Sequence, residues 1–189
     1  YILAGRVLVN EQKVDKPGTA VAGDAAVRLL GDDMPYVSRG GLKLAAALEH
    51  WLIKVEGRAC LDIGASTGGF TDCLLQHVAS HVTAVDTGFS QIAMKIRNDA
   101  RVRLMERANA RLLEAGALAA GKGAPKLTLL VMDVSFISAT LLLEPVLAAA
   151  PALTEAVVLV KPQFEAGREH VGKGGIVRDS KAHQLAIAE

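Results

Sequence analysis

The chain has 189 residues, 51% hydrophobic and 22% charged, which excludes wholesale disorder and suits one ordinary domain with a small appendage. Aromatics make up only 4% while alanine, leucine and valine abound, a balance that fits helices on a buried parallel sheet better than an all-β sandwich. With 21 Lys+Arg against 20 Asp+Glu, the overall charge does not announce nucleic acid, so any such surface has to be a local cluster.

Two cysteines, Cys60 and Cys73, sit in apolar segments. They make no disulfide scaffold and point to a reducing, cytoplasmic setting. The chain opens at Tyr1 without a Met, in what reads as the middle of an element, and is expected to be part of a longer protein. The most membrane-like window, Leu127 to Leu143, carries Asp133, Ser135 and Ser138 and divides into a strand and a helix start, so no span is expected.

Residues 1–33 read as a small separate piece. Arg6 to Asn10 alternates like a strand, Val14-Asp15-Lys16-Pro17-Gly18 is turn chemistry, and Ala25 to Leu30 is a second strand. Gly31-Asp32-Asp33-Met34-Pro35 is the expected linker. From residue 34 to 189 the pattern becomes regular. Ser38 is placed to cap a helix carrying Leu42, Leu44, Leu48 and Leu52 on one face. A strand over Ala59–Ile63 leads to a helix from Phe70 to about His77. A strand over His81–Val85 leads to a helix over Gln91–Arg97. A third strand, Val102 to Glu106, precedes a short helix over Leu112–Leu118. A fourth, Leu127–Met132, precedes a helix over Ala139–Ala149. A fifth, Ala156–Val160, feeds a glycine-rich loop and a last helix near Lys181–Ala188. Strands alternating with helices imply right-handed crossovers and an α/β, doubly wound, mostly parallel sheet.

The strongest local signal is Leu61-Asp62-Ile63-Gly64-Ala65-Ser66-Thr67-Gly68-Gly69-Phe70, where the first sheet strand meets a helix. Small residues there let a ligand approach the backbone, and the helix start offers free N–H groups. Asp86 closes the next strand 22 residues after Gly64, where an acid accepts hydrogen bonds from ribose hydroxyls in nucleotide-binding folds. The glycine spacing is not G-x-G-x-x-G, and Asp62 at a strand tip suits a cation better than a pyrophosphate. Both features favour a nucleoside cofactor such as S-adenosylmethionine. Asn109, just after the third strand, is a candidate for the adenine side of that pocket. The competing reading is a tight turn without a ligand.

Two further strand tips are polar: Asp133-Val134-Ser135-Phe136, and Lys161-Pro162-Gln163-Phe164-Glu165. C-terminal strand ends line the crevice of an open parallel sheet, so Asp62, Asp86, Asp133 and Lys161 are expected on one rim, with Lys43 in reach. A ribose 2′-hydroxyl attacks only once its proton is removed or polarised. Two lysines and an aspartate make a tunable base site for that task. The alternative leaves Lys43 as a surface lysine and pairs Lys161 with Glu165. Lys95, Arg97, Arg101, Arg103, Arg107 and Arg111 form the one basic cluster, able either to neutralise RNA phosphates or to line a solvated strand edge. Arg39 adds a cation beside Lys43. Few exposed aromatics are expected for base stacking.

Together, Tyr36-Val37-Ser38-Arg39-Gly40-Gly41-Leu42-Lys43-Leu44, the Asp62-to-Phe70 turn, Asp133-Val134-Ser135-Phe136-Ile137-Ser138 and Lys161-Pro162-Gln163-Phe164-Glu165 resemble the TlyA family. Its members are ribosomal RNA 2′-O-methyltransferases with an FtsJ-like fold, historically labelled hemolysins. The stretch from Ala4-Gly5-Arg6 to Lys16-Pro17-Gly18 is similar to the second half of an S4 RNA-binding domain. The resemblance implies catalytic Lys43, Asp133 and Lys161. It also implies cytidine ribose in 16S or 23S rRNA as substrate. The residues expected to hold S-adenosylmethionine are Asp62, Gly64, Ala65, Ser66, Gly68, Gly69, Phe70, Asp86, Asn109 and Asp133. Ribosomal RNA or ribosomal subunits are the expected partner, with Arg6, Arg39, Arg103 and Arg107 as RNA contacts, and no metal is expected. The family's fourth catalytic residue, a glutamate, and its last strand hairpin have no counterpart here. Neither Glu165 nor Glu169 is expected to replace that glutamate. The alternative is a non-catalytic RNA-binding or ribosome-assembly module on the same fold.

Other signals are weaker. Gly167 to Lys173 approaches a P-loop but is followed by Gly174 instead of Ser/Thr. Cys73, His77 and His81 lack a fourth zinc ligand. Gly64-Ala65-Ser66-Thr67-Gly68 matches the nucleophile-elbow letters of a hydrolase, with His170 or His183 as possible partners. A base N-methyltransferase would carry a Pro-Pro-aromatic motif where Val134-Ser135-Phe136 stands.

Overall fold

The computed structural model describes residues 1–3, 5–30, 34–119 and 123–188. Ala4, the expected Gly31-Asp32-Asp33 linker and Glu189 lie outside them. The chain divides into two compact units, residues 1–35 and 36–189.

The N-terminal unit holds a three-stranded antiparallel sheet of β1 (Val7–Val9), β2 (Gln12–Val14) and β3 (Val27–Leu29), in order β2-β1-β3. Asn10 and Glu11 turn β1 into β2 in the left-handed region, which asparagine tolerates well. The second strand of this hairpin, Gln-Lys-Val, has too little apolar alternation to be read from the sequence.

The larger unit is a five-stranded parallel sheet with helices on both faces. β4 (Ala59–Ile63), β5 (His81–Val85), β6 (Val102–Met105), β7 (Leu127–Met132) and β8 (Glu155–Val158) stand in the order β6-β5-β4-β7-β8. β4 is buried over its whole length, as a central parallel strand requires. Period-two alternation divides its side chains. Cys60 joins Leu129, Val131, Val82 and Ala84 in a core with α1 (Gly40–His50), α2 (Gly69–Gln76) and α3 (Met94–Arg97). Ala59, Leu61 and Ile63 join Leu130 and Met132 in a second core against α4 (Thr140–Ala149). The chain builds outward from β4 through β5 to β6, then returns to β7 on β4's other side. This reversal makes the C-terminal ends of β4 and β7 the topological switch point, where open α/β sheets bind ligands.

Several boundaries differ from expectation. α1 begins after Arg39, with no capping bond from Ser38 or any other side chain. The segment over Leu112–Leu118 is not a helix: a 3-10 turn over Ala110–Leu112 is followed by turns. Gly116 and Leu118 there donate to the carbonyls of Ala148 and Ala149 at the end of α4. α3 keeps only the last turn of the expected helix. The loop after β8 contains a short helix, α5 (Pro162–Glu165), started by proline at its first position. The chain continues to α6 (Ser180–Ala188). Among the described residues no helix is long and apolar enough to cross a membrane.

Candidate active site

Two glycine contacts assemble the switch point. Gly64 follows β4 with φ +85°, and a methyl group there would stand 2.7 Å from the Asp133 carbonyl oxygen and 3.1 Å from Val134 Cγ1. The tip of β4 can therefore pass beside the tip of β7 only with no side chain at this position. The amide of Asp133 donates to the Ile63 carbonyl at 3.1 Å, locking the two tips in register. A methyl group on Gly69 would collide with Ser38 Oγ and stand 3.0 Å from the Gly41 nitrogen. Its absence lets the starts of α1 and α2 cross closely, which brings Lys43 over the sheet end. Asp72, almost wholly buried, accepts from the Val37 amide at 2.8 Å and from Lys95 Nζ at 3.1 Å, tying the entry to α1 onto α2 and α3.

Asp133 then lies between two ammonium groups. Lys161 Nζ is 2.6 Å from its Oδ1 and Lys43 Nζ is 3.4 Å from its Oδ2. Lys161 also donates to Ser135 Oγ at 2.7 Å. The two lysines differ in environment: the Lys161 side chain is 17% exposed, that of Lys43 50%. Glu165 does not pair with Lys161. Its Oε1 accepts from the Ala139 amide at 2.9 Å, at the start of α4, and Phe164 leans on Phe136 with ring centroids 5.4 Å apart. The loops after β7 and β8 are thus cross-linked at several points. Phe136 has φ +66° and is 92% exposed, an unusual state for a large apolar side chain.

Two cavities adjoin Asp133. One, of about 580 Å³, is lined by Gly64, Ser66, Asp86, Gly88, Asn109, Ala110, Asp133, Ser135 and Phe136. The other, of about 640 Å³, is lined by Ser38, Arg39, Lys43, Ala65, Ser66, Gly69, Phe70, Asp133, Ser135 and Lys161. Gly64, Ser66, Asp133 and Ser135 belong to both walls. Asp86 accepts from the amides of Ser66 at 2.8 Å and Gly88 at 2.6 Å, and each oxygen keeps a second lone pair. Asn109 Oδ1 accepts from the Arg111 amide at 3.0 Å.

Asp62 and Gly68 depart from the sequence expectation. Asp62 shares its sheet face with Cys60, the face covered by α2, so it lies fully buried beneath the helix and not on the rim. Thr71 Oγ1 of α2 donates to its Oδ2 at 2.6 Å. Burial pushes its carboxyl up to about 7; the Thr71 bond works against that rise. Gly68 is a packing glycine with φ +96°: a methyl group there would stand 3.0 Å from Ile92 Cγ1, and it lines neither cavity. Phe70 lines the second cavity but is only 5% exposed and belongs mainly to the core.

The basic cluster is largely spent internally. Lys95 pairs with Asp72, Arg97 with Glu106 at 2.6 Å and Arg101 with Asp99 at 2.7 Å. Arg103, on edge strand β6, and Arg107, stacked 4.1 Å above the Phe89 ring, are exposed. Arg39 is exposed beside the second cavity. Arg6 belongs to the N-terminal unit, where its Nε donates to the Leu30 carbonyl and its guanidinium lies over the Tyr1 ring. Burial raises the thiols of Cys60 to about 12 and Cys73 to about 11, so neither is an activated nucleophile. Among the described residues no histidine lines the two cavities around Ser66, so the histidine of a Ser-His triad is not at hand there.

The model of the FtsJ-like methyltransferases matches residues 36–189. The chain belongs to the FtsJ-like methyltransferase family. It is 45% identical over 185 residues to a Mycobacterium tuberculosis protein named 16S/23S rRNA (cytidine-2′-O)-methyltransferase TlyA, covering 97% of this chain and 67% of the relative. It is 44% identical over 178 residues to Hemolysin A of Brachyspira hyodysenteriae, covering 94% and 72%. A solved Streptococcus thermophilus structure, described as a hemolysin, matches with a TM-score of 0.77 at 44% identity, over 99% of this chain and 67% of the other. The chain spans about two thirds of the length of the curated relatives it matches, and 63% of YqxC of Bacillus subtilis, to which it is 47% identical. The parallel sheet and its flanking helices are thus those of a Rossmann-like methyltransferase domain.

Proposed function

We propose that this chain is the methyltransferase part of a cytoplasmic rRNA ribose 2′-O-methyltransferase that uses S-adenosylmethionine, with cytidine in 16S or 23S rRNA as the target. The observation that carries this reading is the Lys43–Asp133–Lys161 cluster, with both lysines lining the second cavity and Asp133 lining both. The names of the relatives support the same chemistry.

The first cavity suits the donor. Gly88 lines it close to the side chains of Gln91 and Asp86, and leaves its backbone open to a ligand. Asp86 would hold a ribose diol through its remaining lone pairs, and Asn109 and Ala110 border the base. When bound there, S-adenosylmethionine supplies a methyl group on a cationic sulfur. Asp133 adds negative charge at the shared wall.

The second cavity suits the acceptor nucleotide. Arg39 and Lys43 line it and meet phosphate. The bound donor would supply the methyl group, and Lys161 Nζ would take the proton of the attacking 2′-hydroxyl. Lys161 must enter this step as the neutral amine. Lys43 then leaves Asp133 with one cationic partner, so the site carries no uncompensated carboxylate. Holding hydroxyl and donor in line contributes most of the rate, on the order of 7–11 kcal/mol of barrier. The N-terminal unit, read as S4-like, adds RNA contact through Arg6.

The test is mass spectrometry of rRNA treated with the full-length protein. A methyl group on a cytidine 2′-oxygen is expected, with Lys161→Ala reducing its formation by about 10²–10⁴-fold while RNA binding persists. A base-linked methyl group, or full activity in Lys161→Ala, would refute the assignment.

A further inference from the structure

We propose that Ser135 is a positioning residue that selects Lys161, and not Lys43, as the proton acceptor; the inference rests on the methyl-transfer reading above. An amine nitrogen has four tetrahedral directions, and in Lys161 one is taken by its own side chain. Ser135 Oγ, accepting at 2.7 Å, takes a second, while Asp133 Oδ1 at 2.6 Å is an ion-pair contact that accepts no hydrogen bond. The bond to Ser135 fixes the rotation of the nitrogen, so the two directions that remain are set. In the amine one of them carries the lone pair, available to the second cavity, which Lys161 lines. Lys43 has a single contact to the same carboxylate, longer at 3.4 Å, on a side chain that is half exposed. A bond that long, on a side chain that exposed, fixes the lone pair of Lys43 less firmly than the 2.7 Å bond to Ser135 fixes that of Lys161.

Ser135 reaches this position because the loop after β7 is pinned at both ends. The Asp133 amide is held by Ile63, and the Ala139 amide by Glu165. Both pins survive truncation of the serine hydroxyl, so removing it frees the Lys161 nitrogen without releasing the loop. The effect is one on proton transfer and not on ligand affinity.

The experiment uses the full-length protein with Ser135→Ala, Ser135→Thr, Ser135→Cys and Lys161→Ala. Ser135→Ala should lower kcat about tenfold, the worth of one hydrogen bond to a charged group. KM for the donor and for RNA should stay within twofold. Ser135→Thr, which keeps the hydroxyl, should restore kcat to within twofold. Ser135→Cys, close in size but a poor acceptor, should repeat the loss, which keeps the test decisive if the alanine variant folds poorly. Without donor or RNA, ¹⁵N spectra should show a slowly exchanging Lys161 Nζ signal in the wild type and Ser135→Thr and none in Ser135→Ala. Unchanged kcat or an unaltered Nζ signal in Ser135→Ala would overturn the proposal, as would a loss confined to KM. Full activity in Lys161→Ala would instead remove the base assignment on which it rests.

Discussion

Gly64→Ala tests whether close approach of the β4 and β7 tips builds the site. The added methyl group meets the Asp133 carbonyl oxygen at 2.7 Å and its carbon at 3.1 Å, both backbone atoms that cannot swing away. A φ of +85° costs an L-residue about 1–2 kcal/mol, and overpacking against fixed atoms adds about 1–3 kcal/mol. The total expected loss is therefore about 2–5 kcal/mol. Gly57→Ala is the internal control: its φ is +72°, but nothing lies within 4 Å of the new methyl group. It should lose only the backbone component. Urea denaturation followed by circular dichroism gives both values, and their difference isolates the contact with Asp133. Because the push falls on the residue that holds both lysines, Gly64→Ala should also impair methyl transfer beyond its effect on folding. Equal destabilisation by the two substitutions would show that Gly64 serves only its turn, and the account of how Asp133 is positioned would fall.

Asp62 makes stability depend on pH. The folded chain keeps this carboxyl protonated up to about 7, whereas the unfolded chain releases the proton near 3.8. Between those values the folded state holds the extra proton, so stability declines as pH rises through the window, by up to about 1.4 kcal/mol per pH unit. Asp62→Asn keeps an acceptor for Thr71 and should flatten this decline in urea titrations at pH 4 to 7; an unchanged slope would assign it to other groups. Glutamate at both Arg103 and Arg107 should weaken RNA binding and reduce the log–log salt slope by about 2, because both guanidiniums are exposed and among the described residues neither forms a salt bridge. Arg101→Glu, whose guanidinium is already paired with Asp99, should leave that slope nearly unchanged. Equal effects from Arg101 and the Arg103/Arg107 pair would discard this face as the RNA contact.

Much of the architecture was legible because each sheet strand is a short apolar run ending in a glycine or a polar residue. That punctuation fixed the parallel order of elements and put Asp86, Asp133 and Lys161 at strand ends. Asp62 was misjudged although its parity was visible: it alternates with Cys60, and a residue two along from a core cysteine faces the same helix. What the strand rule lacks is knowledge of which face is roofed to the very tip. Ser135 and Glu165 were not legible, because their partners, Lys161 Nζ and the Ala139 amide, are set by loop paths that no periodicity records. The basic cluster looked like a surface because charge counts along a sequence do not show that Asp72, an acid more than twenty residues away, is buried within reach of Lys95. The exposed ring of Phe136 was hidden for a related reason: apolar residues are read as interior unless the backbone turns them out, as φ +66° does here.

Gly64, Ser66, Asp133 and Ser135 line both chambers, so neither has a wall of its own at this end of the sheet. Under the proposed assignment the two guests would lie against the same four residues, and a bulkier side chain at any of them would crowd both berths at once.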